Sequence, residues 1–263
     1  MRDFASPLPA IVIAELFGLP QEDHEQIGEW SSAISAVTFR EVGIERFNSG
    51  AEAIRNFATY LLANIERVRA HPKDDLLSRL VHSREQGDLL SDDELVSTVM
   101  LFLLGGHETT TSLLGNGLVS LTTHSHGIRS LRELDTMEMA VDELLRFDGP
   151  GRFLVRHAKI DFELKEKTIN CGERVFLAIS AANRDLEVFS QPDTLDLQRT
   201  PNRHLGFGMG AHYCLGANLA KLEAGLGFQT LAKTLPSLRI DLDKLKWRPT
   251  MLARTIQTLP YSL

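Results

Sequence analysis

The chain has 263 residues, enough for one sizeable core or at most two small ones. Its composition, 43% apolar and 24% charged, is that of an ordinary globular protein. The formal net charge of -7 argues against a nucleic-acid partner, which normally needs a basic face. Two cysteines, Cys171 and Cys214, cannot build a disulfide framework, so we expect a reducing, cytoplasmic location. The longest strongly apolar run, residues 99–104, is too short for a membrane span.

The first two-thirds of the chain predict mainly helix. A short apolar helix over residues 9–18 ends at a Gly-Leu-Pro stop signal. Apolar residues at helical spacing predict another helix over residues 50–70, which ends at a His-Pro pair. Ser91 and Glu94 form a capping box that opens a long helix over about residues 92–121. At about 1.5 Å per residue this helix is roughly 45 Å long, enough to cross a whole domain.

The rest of the chain mixes structure types. A helix is predicted over residues 137–147, and short β segments around turns over residues 152–179. Residues 183–210 are turn-rich and irregular, and a final amphipathic helix covers about residues 215–235. No repeat or linker divides the chain, so we predict a single domain over residues 1–263, mainly α with a small β component.

The segment Phe-Gly-Met-Gly-Ala-His-Tyr-Cys-Leu-Gly, residues 207–216, is the most informative. Cys214 stands at the entrance of the final helix, where unpaired N–H groups and the helix dipole favour a thiolate. Gly208 and Gly210 let the backbone pass close to a flat ligand and turn N–H groups toward the sulfur. Taken alone, the cysteine fits a buried structural residue in a Gly-rich turn better than a ligand. A nucleotide-binding loop is disfavoured because the glycine spacing does not match G-x-G-x-x-G.

A second segment, residues 105–110, places weak helix formers in the middle of the long helix. Gly105 and Gly106 lower helix propensity there, and Thr109 can bond to a carbonyl one turn earlier. The acid Glu108 beside that hydroxyl suits proton delivery. Seen alone, the segment also fits a packing notch for a crossing helix. A zinc-protease motif is excluded because Thr111 stands where the second histidine ligand belongs.

Glu143 and Arg146 are three residues apart in a predicted helix and therefore share one face. Most such pairs are surface ion pairs that contribute little stability. Arg156 and His204 carry no individual signature.

In this order, the three segments resemble the cytochrome P450 family. Residues 207–216 match the haem-binding signature Phe-Gly-x-Gly-x-His-x-Cys-Leu-Gly at every fixed position. Residues 105–109 match the central-helix motif, and Glu143 with Arg146 matches the Glu-x-x-Arg pair. His204, ten residues before the cysteine, matches the third member of a Glu-Arg-His cluster. The resemblance covers essentially the whole chain and implies the P450 fold.

The resemblance also implies roles for these residues. Cys214 would be the axial ligand of the iron in haem b (iron protoporphyrin IX), and Phe207 and Gly208 would lie against the haem near the sulfur. Arg156 and His212 would bind the haem propionates. Glu108 and Thr109 would deliver protons to dioxygen. Gly105 and Gly106 would leave open space over the haem. Glu143, Arg146 and His204 would hold the cysteine loop in register.

The implied activity is a monooxygenase that inserts one oxygen atom from O2 into a small apolar organic substrate, with electrons from a ferredoxin-type donor. Compared with the family pattern, the chain starts roughly a third of the way in and is short over residues 122–136. Apolar residues that face the missing elements would then be exposed. An inactive truncated remnant, or an interaction module with weak or no haem, therefore stays open as an alternative.

Overall fold

A computed structural model describes residues 1–38, 44–85, 88–124, 127–133 and 137–263. Helices dominate the described residues, as predicted. Their bounds are α1 Pro7–Leu16, α2 His24–Thr38, α3 Ile44–Ala70, α4 Leu76–His82, α5 Asp92–Thr123, α6 Met137–Asp148, α7 Ile179–Ala182 and α8 Ala217–Thr234. Within the described ranges, no helix is long and apolar enough to cross a bilayer.

The small β component is also confirmed. The strands are β1 Arg84–Glu85, β2 Asp88–Leu89, β3 Phe153–His157, β4 Phe162–Leu164, β5 Lys167–Ile169, β6 Arg174–Ala178, β7 Arg239–Ile240, β8 Lys246–Trp247, β9 Ile256–Thr258 and β10 Tyr261–Ser262. They pair as antiparallel ribbons, and the longest ribbon joins β3 to β6 with Val155 opposite Phe176.

The long helix α5 begins where the capping box predicted. The Ser91 backbone N–H donates to Glu94 Oε2 at 2.8 Å, and the Glu94 N–H donates to Ser91 Oγ at 3.3 Å. These bonds satisfy donors that a helix start leaves unpaired. The helix then continues for 32 residues as α-helix through both glycines of the 105–110 segment. The weak helix formers therefore do not interrupt it.

By its internal packing the chain divides into two compact units, residues 1–114 and 115–263, and the division falls inside α5. In the first unit the Trp30 ring of α2 stacks on Phe57 of α3, with centroids 5.3 Å apart. A Cβ on Gly50 would lie 2.3 Å from Val37, so α2 and α3 approach closely because residue 50 is glycine. Sequence reasoning missed α2, although Ile27, Trp30 and the later apolar positions follow helical spacing.

The second unit is centred on α6 and α8. Phe228 of α8 and Ala140, Leu144 and Leu145 of α6 are fully or almost fully buried. A Cβ on Gly117 would meet the Phe228 ring at 2.5 Å, so glycine at this position lets the ring reach the α5 backbone. The loop that precedes α8 carries Cys214, and this core therefore fixes the helix from which that loop departs.

Candidate functional site

In the first unit, one side of α5 presents an open stripe. Leu101, Gly105 and Thr109 recur at four-residue spacing, which places them on one helix face, and all three are exposed. The Leu101 side chain is 66% exposed, and a Cβ on Gly105 would meet no atom of the described residues within 4 Å. The Thr109 hydroxyl donates to the Gly105 carbonyl at 2.7 Å. Its oxygen is therefore left as an acceptor on an open apolar surface.

Glu108 does not join Thr109 in this structure. Its Oε1 accepts a hydrogen bond from the Ser32 hydroxyl of α2 at 3.1 Å. Successive helix residues project about 100° apart, so the carboxylate and the Thr109 hydroxyl leave the helix in different directions. Gly106 faces the core instead, because a Cβ there would lie 3.1 Å from Ile13 of α1. The 105–110 segment therefore combines a packing notch at Gly106 with an open face at Gly105.

In the second unit, Cys214 lies three residues before α8 on an exposed turn. Its backbone N–H donates to the Phe207 carbonyl at 2.8 Å, which closes the loop into a compact turn. Gly208 and Gly210 have φ angles of +73° and +68°, which side-chain-bearing residues rarely adopt. The Cys214 thiol is free and exposed, so it is not the buried structural cysteine that the sequence left open.

The surface around this turn is apolar. Met209, Tyr213 and Leu215 are 74%, 55% and 84% exposed, which is unusual for side chains so close together in sequence. The His212 side chain on the same turn is exposed as well. Arg156 lies on strand β3 with its guanidinium exposed, and it donates to the neighbouring Val155 carbonyl. Both residues are therefore open to an anionic group.

Glu143 and Arg146 form a buried pair, unlike the surface pairs that this spacing usually produces. Arg146 Nε and Nη2 donate to the two Glu143 oxygens at 2.7 and 2.8 Å. The remaining donors of Arg146 reach backbone carbonyls of the irregular segment, at Asn183, Pro192 and Thr194. All five guanidinium N–H groups therefore have acceptors, as a buried charge requires.

The third member of this cluster is Arg199 rather than His204. Arg199 Nε lies 3.1 Å from Glu143 Oε2, and Asn202 Nδ2 donates to the same oxygen at 3.2 Å. His204 instead contacts Asp142, the residue that precedes Glu143 on α6. Because Asp142 and Glu143 are adjacent on the helix, they project to different sides. The Glu143 carboxylate holds the irregular segment, and the Asp142 carboxylate holds the start of the cysteine loop.

Asp142 has two cationic or donor partners. His204 Nε2 lies 3.2 Å from Asp142 Oδ1, and Lys221 Nζ of α8 lies 2.7 Å from the same oxygen. Burial alone would raise the pKa of Asp142, but the hydrogen bonds from His204 and Lys221 outweigh it and lower the pKa. The Lys221 ammonium also lies 5.9 Å from the centroid of the Phe207 ring. Asp142 is therefore a charged anchor behind the cysteine loop.

Sequence reasoning missed four residues of these networks: Asp142, Arg199, Asn202 and Lys221. The sequence did offer a signal for Asp142, because it directly precedes the Glu-x-x-Arg pair. It also lies four residues after Glu138, so the two acids share one face of the same helix. The link from Arg199 to Glu143 spans 56 residues, beyond the reach of any helix-spacing rule.

A cavity of about 670 Å³ opens in the second unit near the C-terminal end of α6. Arg152, Arg184 and Arg254 line it, and the last two are already paired with Asp193 and Asp148. None of the predicted haem-contacting residues lines this cavity. It is therefore separate from the surface that carries Cys214.

Comparison with known proteins gives a consistent result. The profile described as Cytochrome P450 matches residues 44–260. The polyketide biosynthesis cytochrome P450 PksS of Bacillus subtilis (strain 168) is 41% identical over 100% of this chain and 65% of its own length. The vitamin D(3) 25-hydroxylase of Pseudonocardia autotrophica is 38% identical over 100% of this chain and 65% of its own length. The chain thus spans slightly less than two thirds of these relatives.

Solved structures agree. The structure of PksS from Bacillus subtilis 168 matches with a TM-score of 0.92 and 39% identity, over 100% of this chain and 67% of that one. The structure of P450BioI, in complex with an acyl carrier protein ligated to hexadec-9Z-enoic acid, also matches with a TM-score of 0.92, at 36% identity and the same coverage. The fold class expected from the sequence is confirmed over this length.

Proposed function

Because the chain belongs to the cytochrome P450 family, we propose that it contributes the haem-thiolate part of a monooxygenase, with Cys214 as the iron ligand. The reaction would insert one oxygen atom from O2 into a small apolar organic substrate. The observation that carries this proposal is the exposed, free thiol of Cys214 on a glycine turn at the start of α8.

The residues of the turn fit a haem group. A flat apolar macrocycle needs an accessible sulfur, a backbone without side chains in its way and apolar neighbours. Cys214 is exposed, Gly208 and Gly210 adopt left-handed conformations, and Leu215 beside the sulfur is 84% exposed. A haem bound to Cys214 would bury such apolar surface, which supports its binding. The Phe207 side chain, half-buried at the base of the turn, would lie against the haem near the sulfur.

The haem supplies dioxygen activation when bound, and a cysteine thiolate ligand favours O–O cleavage. The rest of the task falls to the protein. Arg156 and His212 are exposed donors that would bind the propionate carboxylates through charge-assisted hydrogen bonds. These contacts would set the orientation of the haem in its plane.

The open stripe of α5 supports a role in proton delivery. Since the Thr109 proton is engaged with the Gly105 carbonyl, the hydroxyl oxygen is available to accept a hydrogen bond from a water molecule. Glu108, held by Ser32, would exchange protons with solvent and pass them on through water rather than by direct contact with Thr109. Gly105 would keep the distal side open, whereas Gly106 packs toward Ile13 of α1 and does not contribute to this open face.

We propose the substrate and the electron donor by chemical class. Relatives carry names for different substrates, among them polyketides, vitamin D(3) and steroids. These are apolar organic molecules, and the exposed stripe of α5 is compatible with such a ligand. A ferredoxin or similar one-electron donor would supply the electrons.

A second candidate is a haem-poor remnant or interaction module. Large apolar side chains are exposed in both units, including Leu101 at 66% and Leu215 at 84%. The chain also spans only 65% of the length of the relatives named above. Exposed apolar surface of this kind favours association with a partner.

Hemin binding with a matched pair of cysteine variants separates the two candidates. We expect the purified chain to bind hemin and, once reduced, to give the carbon monoxide difference spectrum of thiolate-ligated haem. Cys214→Ala should abolish that spectrum, because it removes the ligand. The control is Cys171→Ala, which removes the other exposed thiol and should leave the spectrum unchanged. A wild-type chain that retains no hemin contradicts the proposal, as does an unchanged spectrum in Cys214→Ala.

Thr109→Ala tests the proton-delivery role. This variant should bind hemin as the wild type does but consume oxygen without matching product, since the acceptor on the α5 stripe is lost. The measurement is the ratio of product formed to oxygen consumed with a ferredoxin-type donor. Equal ratios in the two proteins would assign Thr109 to helix packing alone.

A further inference from the structure

His204 makes a hydrogen bond through each of its ring nitrogens. One of these bonds requires a protonated nitrogen and the other requires an unprotonated one. Nε2 lies 3.2 Å from the Asp142 carboxylate, which can only accept a hydrogen bond. Nδ1 lies 3.0 Å from the Gly206 backbone nitrogen, which can only donate one. Both bonds exist together only if the imidazole is neutral with its proton on Nε2.

Lys221 makes this arrangement consistent with a neutral imidazole. Its ammonium lies 2.7 Å from the same Asp142 carboxylate, so the negative charge beside His204 already has a cationic partner. Asp142 therefore does not need a charged histidine for balance. Lys221 and His204 also both flank the Phe207 ring, with each about 5.9 Å from its centroid.

The Gly206 amide makes one of several hydrogen bonds that hold the cysteine turn. The Leu205 N–H donates to Asn183 Oδ1 at 2.7 Å, the Gly206 N–H donates to His204, and the Cys214 N–H donates to the Phe207 carbonyl. A Cβ on Gly206 would lie 3.0 Å from His204 Nδ1, so the imidazole packs directly against this backbone. The histidine thus fixes the base of the turn whose other end is Cys214.

We infer that His204 is a positioning residue for Cys214: Asp142 holds it as the neutral Nε2–H imidazole, and its Nδ1 fixes the Gly206 amide and with it the turn that presents the sulfur. The link to the iron rests on the proposed function, whereas the state of the imidazole does not. This role differs from membership in the Glu143–Arg146 cluster, because it depends on one acceptor atom facing one backbone amide.

Two conservative variants separate that acceptor from the rest of the side chain. In His204→Asn, Oδ1 takes the place of Nδ1 and keeps an acceptor for Gly206, while the contact with Asp142 is lost. In His204→Gln, the terminal amide reaches toward Asp142 and the acceptor beside Gly206 is lost. We expect His204→Asn to retain hemin within about twofold of the wild type and His204→Gln to retain it about tenfold less tightly, as for other indirect ligand supports.

The readouts are hemin affinity, the fraction of thiolate-type carbon monoxide spectrum, and hydrogen exchange at the Gly206 amide. Exchange at Gly206 should be slow in the wild type and in His204→Asn and fast in His204→Gln, with or without haem. His71→Gln, an exposed histidine of the first unit, is the control and should change none of them. Equal behaviour of the Asn and Gln variants, whether both intact or both impaired, overturns the inference.

Nitrogen-15 NMR of the histidine-labelled wild-type chain gives an independent answer. The His204 signals, identified by their loss in His204→Asn, should show the Nε2–H tautomer at neutral pH. An Nδ1–H tautomer or a protonated ring overturns the inference even if His204→Gln fails to fold. If the wild type retains no hemin, the proposed function fails, while the tautomer and the Gly206 exchange rates still decide the role of His204.

Discussion

Around Arg146, every guanidinium donor has an acceptor and the side chain is only 1% exposed. Along the α5 stripe, Leu101 is 66% exposed, and no atom in the described part of the chain lies within 4 Å of a Cβ built on Gly105. The first region is complete within the described residues, whereas the second presents apolar surface and an unused acceptor at Thr109. The polar groups around Arg146 are therefore satisfied within the protein, whereas the α5 stripe presents open surface on which the proposed function places a ligand.

The Cys214 turn combines both conditions. Its base is tied through Leu205 and Gly206 to buried or half-buried partners, and its tip carries a free thiol and the exposed Leu215. A ligand-binding loop needs such a rigid support, because an unsupported loop loses conformational entropy on binding. Rigid support and exposed apolar surface are the two features of this turn that support its proposed role.

Arg146→Ala should have the largest effect on stability. It leaves the Glu143 carboxylate with fewer partners and removes a donor from the Asn183 and Pro192 carbonyls, while the Thr194 carbonyl keeps its hydrogen bond from Arg199. Removal of one partner of a buried ion pair costs about 3 to 5 kcal/mol. The measurement is the free energy of unfolding in urea. The control is the exposed Arg156→Ala, which should change it by less than about 0.5 kcal/mol. A loss below about 1 kcal/mol for Arg146→Ala would mean that the network is not a foundation of the fold.

Glu223 differs from Arg146, because its carboxyl group is buried without its full set of hydrogen bonds. The residue lies on α8, is 6% exposed, and its Oε2 has no hydrogen-bond partner among the residues that the structure describes. Burial raises its pKa from 4.5 to about 7. The unfolded chain releases this proton near its ordinary pKa, whereas the folded chain keeps it until about pH 7. The contribution of the protonated Glu223 to the free energy of unfolding is therefore present at low pH, and it is lost as the pH rises from about 4.5 to about 7.

Glu223→Gln should remove that loss. We expect the variant to be more stable than the wild type at pH 8 by on the order of 2 kcal/mol, and close to it at pH 4.5. The free energy of unfolding measured at several pH values checks this. Glu166→Gln, at an exposed position, is the control and should leave the pH dependence unchanged. Parallel pH profiles for wild type and Glu223→Gln would show that the carboxyl finds a partner in solution.

Much of this organisation could be predicted from sequence because it rests on short-range rules. The Ser91–Glu94 capping box fixed the start of α5, and the fixed positions around Cys214 identified the turn. The third partner of Glu143 could not be predicted in this way. Arg199 and His204 are five residues apart in an irregular segment, and only its path in three dimensions decides which one reaches Glu143. The burial of Glu143 and Arg146 likewise depends on that segment covering them.

Gly105→Ala is expected to have the smallest effect on stability, and it tests directly whether the open α5 stripe binds a ligand. Within the described ranges, a methyl group on Gly105 meets no atom within 4 Å, so alanine should stabilise α5 by about 0.5 to 1 kcal/mol through helix propensity alone. Gly106→Ala is the matched control, because its methyl group would lie 3.1 Å from Ile13 and the gain should be cancelled. If Gly105 keeps space for a ligand, Gly105→Ala should also weaken hemin or substrate binding. Higher thermal stability together with unchanged binding would show that the open face of α5 serves no ligand, and the glycine would then need another explanation.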